Sequence, residues 1–359
     1  MNLKRIITLI LITSILLLPL TSCGSRMTDT ADVHVFYYTY SDPYISTVRA
    51  SLDKALKNAG ISYQDHDSNN NQTTQTEQIQ TAITKGAKLL IVNIVTTGSD
   101  DAAKGIISLA KQAGIPLIFF NREVSDEAIK SYDKCAFIGT DAAEAGKLQG
   151  DMIGDYATKN FNAIDLNSDG EISYVLFMGE KGNNEAIYRT QYSVENANKK
   201  LTEAGKKPLK FYDSANTDKY LLDRDGKWSA QAANEYMTTI LSSHSVASKN
   251  MVELIICNND GMAEGAISAL NAAGYNTGAE GSTSIPVFGV DATSAAKELI
   301  KAKKMTGTIK QDNDAMAKAI EKAAENGLNS KSIFDGMDDY TIDEGVSKLR
   351  IPYAVYLGE

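Results

Sequence analysis

The sequence contains few of the residues that most often carry catalysis or metal binding. Its 359 residues include only three histidines, three cysteines and one tryptophan. The histidines, His34, His66 and His244, are scattered, and no Ser/His/Asp or Cys/His set falls on predicted strand ends. Cys135 and Cys257 lie in apolar, strand-like runs without metal-ligand spacing, so we expect two buried free thiols. An enzyme is therefore the weaker interpretation.

The chain also lacks any tract rich in lysine or arginine. Its formal net charge is -9, whereas nucleic-acid-binding proteins usually carry a basic patch. Nucleic acid is therefore not an expected partner. A chain of this length is too long for one small core and fits about two domains.

One strongly apolar run lies at the start of the chain. Lys4 and Arg5 precede the apolar residues 6–20, which is typical of an export signal. The run ends in the sequence LTSC at 20–23, which resembles a bacterial lipobox. We therefore predict a lipoprotein signal peptide over 1–22, a lipid anchor at Cys23 and a polar tether over 23–32. A plain signal peptide with an incidental cysteine is the alternative.

From Val33 onward, short apolar runs alternate with amphipathic stretches, a pattern typical of parallel strands joined by helices. The same order of elements restarts near residue 142, so the chain has two similar halves of α/β class. We predict strands at 33–38, 61–65, 89–95, 115–120, 135–139, 173–177, 209–212, 253–257 and 286–290. We predict helices at 45–59, 74–85, 101–113, 142–159, 186–204, 229–241 and 262–273.

Polar side chains follow several of these strands. Asn121, Asn259 and Asp291 lie directly after apolar runs in the two halves. Ligands of open α/β sheets bind outside the carboxyl ends of the strands. A single Asn or Asp in this place is more often a turn or a helix cap. Because such polar residues occur at equivalent points of both halves, the pattern favours a polar cleft between two facing sheets.

The segment 165–173 has the first half of a calcium loop. Asp165, Asn167 and Asp169 occupy positions 1, 3 and 5, and Gly170 occupies position 6, where an EF-hand needs a sharp turn. Position 12, which is a bidentate glutamate in an EF-hand, is Leu176 here. Either the segment is a polar turn without an ion, or a carboxylate from elsewhere in the fold completes the shell.

Six motifs together resemble the periplasmic glucose/galactose-binding proteins of sugar importers. They are YSDPY at 40–44, FFNRE at 119–123, GTD at 139–141, the loop at 165–173, NNDGMA at 258–263 and PVFGVDA at 286–292. The resemblance covers residues 33–357. It implies a monomer of the type I periplasmic binding protein fold, with two Rossmann-like lobes of parallel sheet joined by three hinge crossovers. The implied N-terminal lobe is 33–139 with 312–349, and the C-terminal lobe is 140–311 with 350–359. The crossovers would lie near 139–141, 310–313 and 350–354.

The resemblance also implies a sugar site. Asp42 would accept hydrogen bonds from sugar hydroxyls, while Tyr44 and Trp228 would stack on the two sugar faces. Arg189 would donate from its planar fork. The unchanged positions are Asn121, Arg189, Asn259 and Asp291.

Three positions depart from the family pattern. Asn183 replaces the usual histidine, Glu185 an aspartate and Gln311 an asparagine. Each replacement keeps a polar side chain but changes its length or its hydrogen-bond donors. The resemblance therefore still implies a monosaccharide ligand but does not identify which monosaccharide.

The resemblance further implies a structural Ca²⁺ in the 165–173 loop. Side-chain oxygens of Asp165, Asn167 and Asp169, the backbone carbonyl of Glu171 and a bidentate Glu253 would hold it. Ser173, in the ninth position, would act through a bridging water.

The implied function is an extracytoplasmic, lipid-anchored solute-binding protein that delivers a monosaccharide, glucose or galactose, to an ABC permease. A sensor that presents the sugar to a chemoreceptor or sensor kinase is one alternative. A carbohydrate-active enzyme using Asp42, Glu185 and Asp291 is a second and weaker one. A sugar-responsive repressor does not agree with the export signal.

Overall fold

The computed structural model describes residues 31–358, which form two β-sheets flanked by helices. The first sheet contains β1 (Val33–Tyr37), β2 (Tyr63–Asp67), β3 (Leu89–Val92), β4 (Leu117–Phe120), β5 (Cys135–Gly139), β12 (Thr341–Ile342) and β13 (Lys348–Arg350). The second contains β6 (Ser173–Met178), β7 (Lys210–Phe211), β8 (Leu221–Leu222), β9 (Leu254–Cys257), β10 (Val287–Asp291), β11 (Gly307–Gln311) and β14 (Tyr353–Tyr356).

The strand orders are β12-β13-β5-β4-β3-β1-β2 in the first sheet and β14-β11-β10-β9-β6-β7 in the second, where β8 also pairs with β6. All pairs are parallel except β12 with β13 and β11 with β14. We call each sheet with its helices a lobe. The predicted α/β class with two lobes of mostly parallel sheet is thus confirmed.

Helices connect the strands. They are α1 (Pro43–Asn58), α2 (Gln72–Thr84), α3 (Asp101–Ala113), α4 (Asp126–Lys130), α5 (Ala142–Ile164), α6 (Asn184–Glu203), α7 (Ala230–Leu241), α8 (Asp260–Ala272), α9 (Ser294–Lys301) and α10 (Asn313–Leu328). No helix within residues 31–358 is long and apolar enough to cross a bilayer.

Both faces of the central strands β1, β3, β4 and β5 are buried, which explains their continuous apolar runs. Successive side chains of β1 point to opposite faces, so Val35 packs with Leu52 of α1 and Ile320 of α10. Phe36 packs on the other face with Ile106 of α3. The second sheet is covered in the same way, by α5 and α6 on one face and by α7 and α8 on the other. Cys135 and Cys257 are buried and unbonded, as expected.

Several predicted elements differ from the structure. The second strand lies at Tyr63–Asp67 rather than 61–65, because pairing of Val33 with Tyr63 sets its register at the edge of the sheet. α1 begins at Pro43 rather than residue 45, since proline is compatible with the first helical turn. α5 continues past the predicted end at 159 to Ile164, across a non-helical Asn160. The sequence prediction assigned no element to the short strand β8, to helix α4 or to the chain after β10.

The chain passes between the lobes at three neighbouring places, after β5, after β11 and after β13. The Thr140 and Tyr353 hydroxyls are 2.8 Å apart there, and Arg350 donates to the Thr140 carbonyl at 2.7 Å. The predicted lobe boundaries stay a prediction. One of them, between residues 349 and 350, falls inside β13 of the first sheet, because Arg350 still pairs with Gly139 there.

The predicted signal peptide (1–22), Cys23 and the tether up to residue 30 lie outside the described residues. The predicted tether over 23–32 extends too far, because its last two residues are part of the first lobe. Ala31 is buried, and the Asp32 carbonyl accepts hydrogen bonds from the backbone N–H groups of Lys88 and Leu89.

Candidate functional site

A polar cavity lies between the lobes, at the carboxyl ends of the strands, where open α/β sheets bind ligands. Three lining residues, Tyr38, Ile45 and Arg122, were not predicted from the sequence. All predicted sugar contacts line this one cavity: Asp42, Tyr44, Asn121, Asn183, Glu185, Arg189, Trp228, Asn259, Asp291 and Gln311.

Helix capping fixes three of these side chains at the cavity. Asp42, Asn183 and Asn259 are the N-cap residues of α1, α6 and α8. In each, Oδ1 accepts from the backbone N–H three residues on, at 2.8, 3.3 and 2.9 Å respectively. Of the three residues that follow strands, only Asn259 is a helix cap, so the cap interpretation is correct for Asn259 but not for Asn121 or Asp291. Capping is compatible with a site, because the caps hold these side chains beside the cavity.

The backbone has positive φ at several lining residues. Asn121 has φ 60°, Trp228 has φ 55° and Asp291 has φ 124°, followed by Ala292 at φ 54°. Asparagine tolerates this region, whereas the other side chains disfavour it by roughly 1–3 kcal/mol each. Strain of this kind clusters at binding sites, where surrounding contacts hold it in place.

A buried charged cluster forms the centre of the cavity wall. The Arg189 guanidinium donates to Glu185 Oε2 at 2.8 Å and to the Asn258 carbonyl at 2.9 Å, and it lies 3.9 Å from Asp291. The Tyr353 hydroxyl also contacts both Arg189 and Glu185, at 3.0 and 3.1 Å. Burial alone would lower the pKa of Arg189, but its anionic surroundings raise it, so the guanidinium stays charged.

Two opposing effects act on the pKa of the Asp291 carboxyl. Burial raises the pKa of its carboxyl well above the ordinary value, while the nearby Arg189 lowers it. Its Oδ1 accepts from Gln311 Nε2 at 2.8 Å. Gln311 Oε1 in turn accepts from Asn121 Nδ2 at 3.3 Å, across the gap between the lobes. The longer side chain at position 311 therefore reaches both lobes.

The two predicted stacking rings have different surroundings. Tyr44 is nearly fully buried, and burial raises the pKa of its hydroxyl. The Trp228 indole donates from Nε1 to Glu180 at 3.3 Å, and its backbone carbonyl accepts from Asn259 Nδ2 at 3.2 Å. The ring packs directly on Gly179, where an added Cβ would overlap the indole. Gly179 thus makes room for the ring, a role that the sequence alone did not indicate.

Sequence reasoning also missed Tyr38 and Arg122. The Tyr38 hydroxyl donates to Asp42 Oδ2 at 2.6 Å and so holds that carboxylate. The sequence feature that could have indicated Arg122 is its position in the FFNRE motif, directly after Asn121. Its guanidinium lies 4.4 Å above the Tyr38 ring and pairs with Glu180 of the other lobe at 2.7 Å.

Comparison with known proteins agrees with this geometry. Residues 33–332 match the family described as periplasmic binding protein domain. The chain belongs to this family. Because the matching proteins are named as binding proteins, the expectation that the chain is not an enzyme is confirmed. The resemblance to sugar-binding proteins stated from the motifs is confirmed as well.

The similar curated proteins cover most of this periplasmic binding protein. The D-galactose/methyl-galactoside binding periplasmic protein of Haemophilus influenzae is 36% identical over 322 residues, which is 89% of this chain and 88% of that protein. The ribose import binding protein of Escherichia coli is 24% identical over 324 residues, 90% of this chain and 92% of that one.

Solved structures show the same fold. A solute-binding protein of Clostridium phytofermentans with bound β-D-glucose has a TM-score of 0.69 at 20% identity and covers 91% of this chain and 94% of its own. One of Bacillus halodurans with bound myo-inositol has a TM-score of 0.68 at 23% identity and covers 92% and 96%. At these identities the likeness concerns the fold alone.

The 165–173 loop of this periplasmic binding protein lies apart from the cavity. Glu253 joins its two ends, because Oε1 accepts from the Leu166 N–H and Oε2 from the Ser173 N–H, each at 2.8 Å. The Ser173 hydroxyl also donates to Glu253 at 3.0 Å.

The remaining loop side chains bond within the loop or to lysines. Asp165 accepts from the Asp169 and Gly170 N–H groups at 3.1 and 3.0 Å, and Asn167 Oδ1 accepts from the Asp169 N–H at 2.9 Å. The Glu171 carboxylate pairs with Lys207 and Lys210. Within residues 31–358, no group of three or more His, Cys, Asp or Glu side chains is arranged to hold a metal.

Proposed function

We propose that this protein captures a monosaccharide, glucose or galactose, in the cavity between its lobes. The main support is that one cavity brings together Arg189 and Asp291, several amides and three aromatic rings. The galactose-binding relative, at 36% identity over nearly the whole chain, supports the same ligand class.

The chemistry of a pyranose fits these groups. Its ring has apolar C–H faces, which suit the aromatic rings of Tyr44 and Trp228. Its equatorial hydroxyls require donors and acceptors arranged around the rim, and Asp42, Asn259 and Asp291 supply them. Each hydrogen bond to a charged group contributes about 1.5–3 kcal/mol, and several together offset the lost hydration of the sugar.

Two of the three departures from the family pattern bear on which sugar fits. Glu185 directs its carboxylate to Arg189, Tyr353 and Thr140, the last at 3.2 Å, and so orients the guanidinium. Gln311 orients Asp291 by donating a hydrogen bond to its Oδ1. In this proposal both residues act mainly by holding the charged groups that read the hydroxyls, which sets the selectivity among hexoses.

The protein would act outside the cytoplasm and release its sugar to an ABC permease. Closure of the lobes around the sugar would be the signal that the permease reads, with the hinges at the crossovers. The proposal includes a lipid anchor at Cys23, which rests on the LTSC sequence at 20–23.

We also propose that the 165–173 loop holds a structural Ca²⁺. Its donors are all oxygens, as a hard cation requires. Asp165, Asn167, Asp169, the Glu171 carbonyl and Glu253 would be the ligands. The support is that the Glu253 carboxylate already reaches both ends of the loop. The ion would stabilise this corner of the second lobe and take no part in binding sugar.

Sugar binding is tested by intrinsic fluorescence of the chain without its signal peptide, titrated with D-glucose, D-galactose, D-ribose and myo-inositol. Trp228 is the only tryptophan and lines the cavity, so its emission reports on occupancy. We expect a saturable change with glucose or galactose at the lowest concentrations. A flat response to every monosaccharide would reject the assignment.

A further inference from the structure

An ion pair joins the two lobes at the mouth of the cavity. Arg122 follows β4 of the first lobe, and Glu180 follows β6 of the second. Arg122 Nη2 donates to Glu180 Oε2 at 2.7 Å and to Oε1 at 2.9 Å. The Arg122 side chain is 6% exposed and that of Glu180 is 18% exposed. The pair is therefore largely shielded from water, unlike the exposed ion pairs of this chain.

Each partner is also connected to predicted sugar contacts of its own lobe. Glu180 Oε2 accepts from Trp228 Nε1 at 3.3 Å and from Asn183 Nδ2 at 3.2 Å. In the first lobe, the Arg122 guanidinium covers the Tyr38 ring, whose hydroxyl holds the Asp42 carboxylate. The ion pair thus links the wall of the cavity in one lobe to the wall in the other.

A second contact crosses the same rim. Asn183 Nδ2 lies 3.3 Å from the Thr97 hydroxyl of the first lobe. A Cβ on Gly182 would come within 3.1 Å of Gly98 Cα, so the backbones of the two lobes are close here. Arg122 also donates to the Val95 carbonyl at 2.8 Å, which fixes its orientation toward Glu180.

We propose that Arg122 and Glu180 form a latch that holds the lobes closed over the bound sugar and sets the rate of its release. This inference rests on the proposed sugar binding. Separating the lobes breaks the pair and returns both charges to water, so the pair favours only the closed state. Removing one partner leaves the other buried and unpaired in the closed state, which accelerates dissociation more than it slows association.

Stopped-flow Trp228 fluorescence with the sugar bound by the parent protein tests the latch. We expect Arg122→Gln and Glu180→Gln each to raise the dissociation rate about tenfold or more, with the association rate changed less than about threefold. The double variant should dissociate no faster than the worse single variant, because the two residues act as a pair. Arg122→Lys should restore part of the loss, since it keeps the charge without the fork.

Lys104→Gln is the matched control, because it removes an exposed ion pair with Glu127 within the first lobe. Its dissociation rate should equal that of the parent. Unchanged rates in both single latch variants, or single effects that multiply in the double variant, would overturn the latch.

If the parent protein binds no sugar, the proposed function is rejected, but the latch is not yet tested. In that case small-angle scattering of the sugar-free proteins tests the latch. The latch predicts a larger radius of gyration for Glu180→Gln than for the parent, and equal radii would overturn it.

Discussion

Asn121 of the first lobe donates a hydrogen bond from Nδ2 to Oε1 of Gln311 in the second lobe, at 3.3 Å. These residues are 190 positions apart in sequence, and each follows or ends a strand of its own sheet. The same glutamine also donates to Asp291. The two lobes therefore meet through side chains that were each predicted to contact the sugar, and ligand binding and lobe closure use the same groups.

Replacing Arg189 by lysine should weaken sugar binding strongly. The guanidinium donates simultaneously to Glu185, Tyr353 and the Asn258 carbonyl, and a single ammonium cannot reproduce this planar arrangement. We expect a dissociation constant at least about a hundredfold higher by calorimetry, since loss of bonds to charged groups costs about 1.5–3 kcal/mol each. Lys200→Arg, a change in an ion pair on the same helix, is the control and should bind like the parent. Parent-like affinity in Arg189→Lys would contradict the assigned role.

Adding one methyl group behind the indole should displace Trp228. A Cβ on Gly179 would overlap the ring, so Gly179→Ala must move either the indole or the strand end. We expect weaker sugar binding and a shifted emission maximum in the sugar-free protein. Gly105→Ala adds the same group at a helical position with nothing within 4 Å and should stabilise the fold by roughly 0.5–1 kcal/mol. Equal affinity of both variants would show that Gly179 does not support the ring.

Acid should destabilise the first lobe through His66. Burial, followed by its neighbour His34, lowers the pKa of His66 to about 4, and the two rings are joined at 2.9 Å. The unfolded state has the ordinary pKa of about 6.5 and binds the proton first. The stability from this histidine is therefore present above pH 6.5 and falls as pH decreases toward 4. His66→Gln should show a shallower decline in urea midpoint across this window than either the parent or His244→Gln. Identical slopes would contradict this assignment.

Removing Ca²⁺ should lower thermal stability without abolishing sugar binding. An ion that binds only the folded state stabilises by mass action, so chelation should lower the Tm of the parent and added Ca²⁺ should restore it. Glu253→Gln should lose this response, because the carboxylate joins both ends of the loop. Glu203→Gln, an exposed change, should keep it. If the parent has the same Tm in chelator and in Ca²⁺, the proposed structural Ca²⁺ is rejected.

The sequence predicted the elements that carry strong apolar patterns. β1, β3, β4 and β9 are fully buried, and their hydrophobic runs mark them clearly. β2 lies two residues later than its predicted position, because its polar residues form no apolar pattern from which the sequence could locate it. Its register is set by pairing with β1. The sequence prediction includes no element after Asp291, although α10 has a buried face that packs on the first lobe.

Recognition of the family located the cavity residues but not their partners. Asp42 and Asn121 occur in motifs, whereas Tyr38, Gly179 and Glu180 acquire their roles only from contacts that the fold creates. Glu180 meets Arg122 across 58 positions of sequence, and no local pattern indicates such a pair. Motifs thus predict which side chains face the cavity, and the tertiary structure shows what orients them.

Isothermal titration calorimetry of the purified, folded chain with D-glucose and D-galactose tests sugar binding most directly. We expect saturable binding of at least one of them at one site per chain, weakened at least about a hundredfold in Arg189→Lys. No binding of either hexose by protein that unfolds cooperatively would contradict this expectation.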